Sequence, residues 1–187
     1  HYTLPAEGLR FEFLPTDFVQ INAEVNRALV AHAVAQLQVE PQHRVLDLFC
    51  GLGNFTLPLA RRAREVVGVE GDAALVERAR HNAALNQLGN VSFKTANLFD
   101  ASIAATVLGG PFDRVLLDPP RAGALEVLPT LAALAPRRMV YVSCHPASLA
   151  RDAGMLVHQQ GFKLKAAGVM DMFPHTTHVE AMAVFER

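Results

Sequence analysis

Apolar residues along the chain gather into five short runs, "HRVLDLF" (43–49), "EVVGVE" (65–70), "VSFKTA" (91–96), "FDRVLLD" (112–118) and "RRMVYVSC" (137–144). Runs in which apolar residues are continuous, not alternating, mark strands buried on both faces, as in a parallel sheet. Helical patterns fall between and after them: about 54–63, then from an Asp72 cap to about Asn86, near 100–108, near 124–134, and from about Pro146 to Gln160. Pro58 in the first of these is tolerable only within a first turn. Strand–helix alternation predicts βαβ units with right-handed crossovers. Upstream, "LRFEFL" alternates and predicts a short strand or hairpin arm, followed by a helix over 22–38 capped by Asp17 or Asn22. At the other end "FKLKAAGVMDMF" (162–173) and "HVEAMAVFER" (178–187) are two strand candidates with only a short loop between them, so they should pair antiparallel. The prediction is an α/β fold: a doubly wound, mainly parallel seven-stranded sheet with one antiparallel strand, residues 1–20 forming a lead-in and 21–187 the domain proper. Ligands on such sheets bind beyond the carboxyl ends of the strands.

Composition narrows the class. With 187 residues, 51% of them apolar, the chain suits one domain with a full core and excludes disorder. No apolar run approaches the roughly 18 residues of a membrane span, and "HYTLPAEGLR" lacks the basic and apolar blocks of a signal peptide. It also lacks an initiator Met, so a piece of a longer protein is expected. Two cysteines, Cys50 and Cys144, exclude a disulfide framework and a Cys-x-x-Cys metal site, and point to the reducing cytoplasm. A net charge of -1 excludes nucleic-acid binding by charge alone. The basic spots at Arg61, Arg62 and Arg64 and at Arg137 and Arg138 read first as solvated surface.

The chemistry-bearing residues all fall at predicted strand ends. In "DLFCGLGNFT" (47–56), Gly51 and Gly53 allow close backbone approach to a ligand, though a tight turn needs the same residues. Glu70 ends the second strand, where a carboxylate can hold both hydroxyls of a ribose; this suits NAD and S-adenosylmethionine (SAM) equally. In "LLDPPRAG" (116–123), Asp118 ends the fourth strand and two prolines stiffen a loop that presents carbonyls and a carboxylate to a planar polar group. Cys144 ends the fifth strand and is either a nucleophile or packing; Cys50, beside the glycines, reads as packing. His175, His178 and Glu180 in "HTTHVEAM" lack metal-ligand spacing, so no metal is expected; Glu180 is an exposed edge residue or a general base.

Together these stretches, with "DFVQIN" and "VSCHPASLARD", resemble the C-terminal catalytic domain of the RNA uracil-C5 methyltransferases that make 5-methyluridine, nearest the 23S rRNA branch, with the tRNA enzyme a relative. The resemblance implies the Rossmann-like SAM-dependent methyltransferase fold, SAM as cofactor and RNA as partner, rRNA before tRNA. Carried across, its SAM contacts fall on Gln20, Phe49, Asn54, Glu70, Asn97 and Asp118, beside Gly51 and Gly53; its nucleophile falls on Cys144 and its base on Glu180. One departure is visible: the family's Ser-Cys-Asn-Pro has His145 in place of Asn. Full-length members carry an RNA-binding TRAM domain, and many rRNA members an iron–sulfur cluster on four cysteines; neither is expected within this chain, so the cluster belongs only to a missing N-terminal part. Alternatives are a SAM-dependent amino-methyltransferase using the Asp-Pro-Pro loop, an NAD-dependent oxidoreductase, and a SAM-binding fragment inactive without its RNA-binding half.

Overall fold

A computed structural model describes residues 1–172, 175, 176 and 178–187, and residue 103 without its side chain. Phe173, at the end of the first C-terminal strand candidate, and Thr177 of "HTTHVEAM" lie outside the described residues. The chain opens with a hairpin, β1 (Tyr2–Leu4) and β2 (Leu9–Phe11), paired antiparallel in a sheet of their own. The main sheet holds β3 (Arg44–Leu48), β4 (Glu65–Glu70), β5 (Val91–Thr95), β6 (Arg114–Leu117), β7 (Arg138–Ser143), β8 (Lys163–Met170) and β9 (Glu180–Glu186). Its seven strands run in the order β5-β4-β3-β6-β7-β9-β8. The first four pairs are parallel, and β9 alone runs against both of its neighbours, β7 and β8. The predicted seven-stranded, mainly parallel sheet with one antiparallel strand is the one observed.

Burial explains the strand patterns. All residues of β6 and β7 are buried, as continuous apolar runs require. One core layer lies under α1 (Ala23–Leu37), α2 (Thr56–Ala60) and α3 (Ala73–Leu85) and also takes Leu4, Leu9 and Phe11 from the hairpin. The other lies under α4 (Ala101–Leu108), α5 (Leu128–Ala133) and α6 (Pro146–His158). The hairpin is sewn to α3 by side-chain amides: Asn82 Oδ1 accepts from the Glu12 N–H at 2.9 Å and Asn86 Oδ1 from the Arg10 N–H at 2.9 Å.

Local chemistry sets the element ends. Asn22, not Asp17, caps α1, its Oδ1 accepting from the Val25 N–H at 3.2 Å. Asp17 instead closes its own loop, accepting from the Leu14 N–H at 2.7 Å, and pairs with Arg78 at 3.2 Å. Two helices are shorter than predicted. Residues 54 and 55 belong to the turn before α2, and residues 124–127 form a turn before α5, closed by the Val127 N–H on the Ala124 carbonyl at 3.1 Å. Gly68, mid-β4, is glycine for space: an added Cβ would lie 2.7 Å from Phe93 Cδ1 and 3.0 Å from Cys50 Sγ.

Candidate functional site

A cavity of about 640 Å³ opens along the carboxyl ends of the parallel strands. Strand ends deliver its chemistry because successive βα turns in a parallel sheet all emerge on that edge. Gln20, Phe49, Gly51, Asn54, Glu70, Asn97, Asp118, Cys144 and Glu180 line it. Gly53 does not: its φ is 97°, it donates to the Cys50 carbonyl at 2.9 Å, and an added Cβ would lie 3.3 Å from Leu57 Cγ. The positive φ of this turn is what requires a glycine at the position.

In the half made by β3, β4 and β5, the polar groups that line the cavity are held by the protein itself. Phe49 turns the chain out of β3 with φ 61°, a left-handed conformation unusual for a bulky residue. Its ring sits 5.8 Å from that of Phe99, tilted by 53°. Glu70 is held by backbone: Oε1 accepts from the Gly71 N–H at 2.7 Å and the Asp72 N–H at 3.0 Å, and Oε2 from the Gly51 N–H at 3.1 Å. A carboxylate offers roughly four acceptor positions, so about one remains for a ligand. Asn54 and Asn26 exchange amide hydrogen bonds at 2.9 and 3.2 Å, and Tyr2 Oη donates to Asn54 Oδ1 at 2.8 Å. Asn97 Oδ1 accepts from the Phe99 N–H at 3.1 Å.

The half made by β6, β7 and β9 is different. Asp118 follows β6, Cys144 follows β7, and Glu180 opens β9. Among the described residues, none donates a hydrogen bond to the carboxyl group of Asp118 or Glu180. Burial, reinforced by the charges of Glu180, Asp47 and Glu70, pushes Asp118 up to about 8. Burial raises Glu180 as well. It also raises the Cys144 thiol, and the Glu180 and Asp118 charges add to that while Arg121 opposes it. A cation placed among these groups would reverse the effect, drawing carboxyls and thiol toward their charged forms. Cys50 is buried and its thiol is pushed well above the usual range, first by burial. It packs against Gly68 as a small apolar filler does.

His145 takes over the job an Asn would do. Its Nδ1 accepts from the Ser148 N–H at 3.3 Å and caps α6, so an imidazole lone pair replaces an amide oxygen. Among the described residues no group of three His, Cys, Asp or Glu side chains is placed to hold a metal.

Sequence reasoning missed several residues in the wall and one buried beneath it. Asp47 is wholly buried beneath the glycine turn; its Oδ2 accepts from Thr56 Oγ1 at 2.5 Å and its Oδ1 has no partner among the described residues. Burial pushes it up to about 7, against the Thr56 hydrogen bond, and the Glu70 charge adds to the rise. Its signal was available: a carboxylate inside the apolar run "VLDLF". Phe18, Phe99 and Arg121 also line the cavity, and their only signal is adjacency to quoted motifs.

Comparison with known proteins agrees with this geometry. The sequence of the 23S rRNA (uracil(1939)-C(5))-methyltransferase RlmD of Alkalilimnicola ehrlichii is 66% identical over 186 residues, which are 100% of this chain and 42% of that protein. The Xanthomonas axonopodis pv. citri protein of the same name is 60% identical over the same share of each. The chain thus spans about two fifths of the length of these curated relatives. The crystal structure of Pyrococcus abyssi tRNA (uracil-54, C5)-methyltransferase in complex with S-adenosyl-L-homocysteine superposes with a TM-score of 0.80 at 32% identity, over 94% of this chain and 41% of that one. Geobacter metallireducens precorrin-6y C5,15-methyltransferase, 10% identical, shares the fold alone, with a TM-score of 0.72 over 95% of each chain. The family described as tRNA (Uracil-5-)-methyltransferase matches residues 3–187, and with a cavity that brings one thiol and two raised carboxyls to a single sheet edge, the chain belongs to that family.

Proposed function

We propose that this chain is the catalytic domain of a SAM-dependent methyltransferase that makes 5-methyluridine in 23S rRNA. The convergence of Asp118, Cys144 and Glu180 on one cavity carries the reading. The rRNA substrate is favoured over tRNA by the 66% identity to a 23S rRNA enzyme against 32% to the tRNA enzyme of known structure.

The residues present fit SAM. The Phe49 and Phe99 rings offer apolar faces for a purine, and Glu70 is pre-oriented by three backbone N–H groups toward a ribose. Gln20, Asn54 and Asn97 supply amides, and the Asp118 carboxyl in the cavity wall suits a ligand that carries positive charge. When bound, SAM supplies an electrophilic methyl group.

C5 of uracil is a poor nucleophile, and Cys144 overcomes this. Its thiolate adds to C6, and the ring becomes an enolate with carbanion character at C5. After C5 has gained a methyl group, Glu180 removes the remaining C5 proton. The C5–H electron pair forms the C5–C6 double bond, the C6–S bond breaks, and the thiolate is released. The raised Glu180 and Cys144 fit both jobs: a carboxyl whose proton affinity is above the ordinary range is a better base, and a thiol of high proton affinity adds strongly once ionised. The stiff Asp118-Pro119-Pro120-Arg121 loop presents carbonyls and a carboxyl to the polar edge of a base extruded from RNA.

The test is mapping by mass spectrometry. Loss of the gene that carries this chain removes 5-methyluridine from 23S rRNA, and restoring it with Cys144→Ala does not return the mark. An unchanged 23S rRNA with a loss in tRNA would transfer the reading to the tRNA branch. Full complementation by Cys144→Ala would replace it with amino-group methylation.

A further inference from the structure

The "SLARD" end of "VSCHPASLARD" takes no part in the chemistry above, yet its Asp152 is wholly buried. The Asp152 carboxylate gathers three donors. Tyr141 Oη donates to Oδ2 at 2.6 Å, the Ala124 N–H donates to the same oxygen at 2.8 Å, and Arg151 Nε donates to Oδ1 at 2.8 Å. The donors come from distinct places. Tyr141 lies on β7, three residues before Cys144. Ala124 follows the Asp118 loop, whose turn is closed by the Gly123 N–H on the Pro120 carbonyl at 2.8 Å. Arg151 reaches past Asp152 to the Ala122 carbonyl at 2.8 Å.

The loop is pressed hard against α6. At Gly123, with φ 86°, an added Cβ would lie 2.6 Å from both Arg151 Nη2 and Asp152 Oδ2. The same helix begins at the turn that carries Cys144. There Ser143 Oγ accepts from the His145 N–H at 3.1 Å and donates to the His145 carbonyl at 3.1 Å, and His145 caps the helix. One rigid helix therefore grips the two reactive strand ends, the thiol turn at its first residue and the Asp118 loop one and a half turns later. A buried carboxylate is costly unless its lone pairs are filled. Filled by directional, charge-assisted bonds, it fixes a separation that apolar packing would let slide.

We propose that Asp152, with Tyr141 and Arg151, is a positioning clamp that sets the gap between the Cys144 thiol and the Asp118 loop. The proposal rests on the reading of that gap as the place where uracil is held. Asp152 touches neither base nor cofactor; it acts through the two loops.

The test uses Asp152→Asn and Tyr141→Phe, the second removing one hydrogen bond with almost no change in volume. Three quantities are read on folded protein: SAM affinity by calorimetry, single-turnover methylation of rRNA by the full-length enzyme, and the rate of Cys144 alkylation by iodoacetamide, with Cys144→Ala as the blank. Cys50, which also lines the cavity but is buried, is read by that blank. A misplaced reacting group costs up to about 100-fold, so methylation should fall about 10-fold or more in both variants. SAM affinity should stay within about twofold, and Cys144 alkylation should rise about threefold as its turn loosens. Lower melting temperature with unchanged methylation and alkylation rates would make Asp152 an ordinary core bond and overturn the proposal. The alkylation rate needs no RNA and no SAM, so it tests the clamp even if the uracil reading itself fails.

Discussion

The two halves of the sheet edge treat the polar groups that line the cavity in opposite ways. Around β3, β4 and β5, Glu70 is tied down by three backbone N–H groups, Asn54 by Asn26 and Tyr2, and Asn97 by the Phe99 N–H. Around β6, β7 and β9, the Asp118 and Glu180 carboxyls accept from no described residue, and burial raises both along with the Cys144 thiol. A satisfied polar group is oriented and chemically quiet, which is what recognition of a cofactor asks for. A desolvated, unsatisfied one is costly in the empty protein and reactive once a ligand arrives, which is what covalent chemistry asks for. The two cysteines repeat the contrast: Cys50 is buried packing, while Cys144 is partly exposed in the cavity wall.

The contrast can be broken most sharply at the reactive half. Cys144→Ala in the full-length enzyme should abolish methylation, a loss of about four orders of magnitude or more, because removing a nucleophile leaves only binding and orientation. No covalent protein–RNA adduct should appear on a denaturing gel. Glu180→Gln should differ in kind. Addition and methyl transfer proceed, proton removal stalls, turnover falls by about 10²–10⁴-fold, and a methylated adduct accumulates. Normal turnover of Glu180→Gln with no trapped adduct would move the base to another residue.

At the recognition half the effect should be smaller and confined to binding. Glu70→Ala removes a charge-assisted acceptor worth about 1.5–3 kcal/mol, so SAM affinity measured by calorimetry should drop about tenfold or more. Unchanged affinity would show that the ribose is held elsewhere.

Stability should carry a pH signature from the unsatisfied carboxyls. Asp118 moves from an ordinary 3.8 to about 8 and Asp47 from 3.8 to about 7 on folding. Between about pH 4 and about pH 8 the folded chain keeps protons that the unfolded chain has lost, so stability falls as pH rises through that window. The melting temperature without ligand should be lower at about pH 8 than at about pH 5.5, and Asp118→Asn should narrow the gap. A pH-independent gap between the two proteins would contradict the burial of that charge. The smallest effect belongs to Cys50→Ala. Losing one buried sulfur should cost about 1 kcal/mol in denaturant unfolding and leave methylation intact.

Much of this was legible along the chain, for local reasons. A strand buried on both faces must be a continuous apolar run, so β3, β4, β6 and β7 announce themselves. A polar residue ending such a run must sit at the sheet edge, which is why Glu70, Asp118 and Cys144 could be named in advance. Element ends were less legible: residues 124–127 make a turn before α5, and the Ala124 N–H is bound by Asp152, 28 residues away, a partner that no local pattern names.

By itself, the sequence determined the parallel α/β class, the single reversed strand and the residues offered at each strand tip, since these follow from periodicity and chain order. Tertiary structure alone decided how those residues behave. Asp118 and Glu180 are raised because the cavity walls remove water, with like charges adding to the rise at Asp118, and Glu70 is oriented by N–H groups from two different turns. Gly53 holds a left-handed turn with Leu57 against it, and Asp152 reaches the Asp118 loop and strand β7 at once. Proton affinity and hydrogen-bond satisfaction depend on solvent exclusion and on neighbours far apart in the chain, quantities that no local pattern of residues encodes.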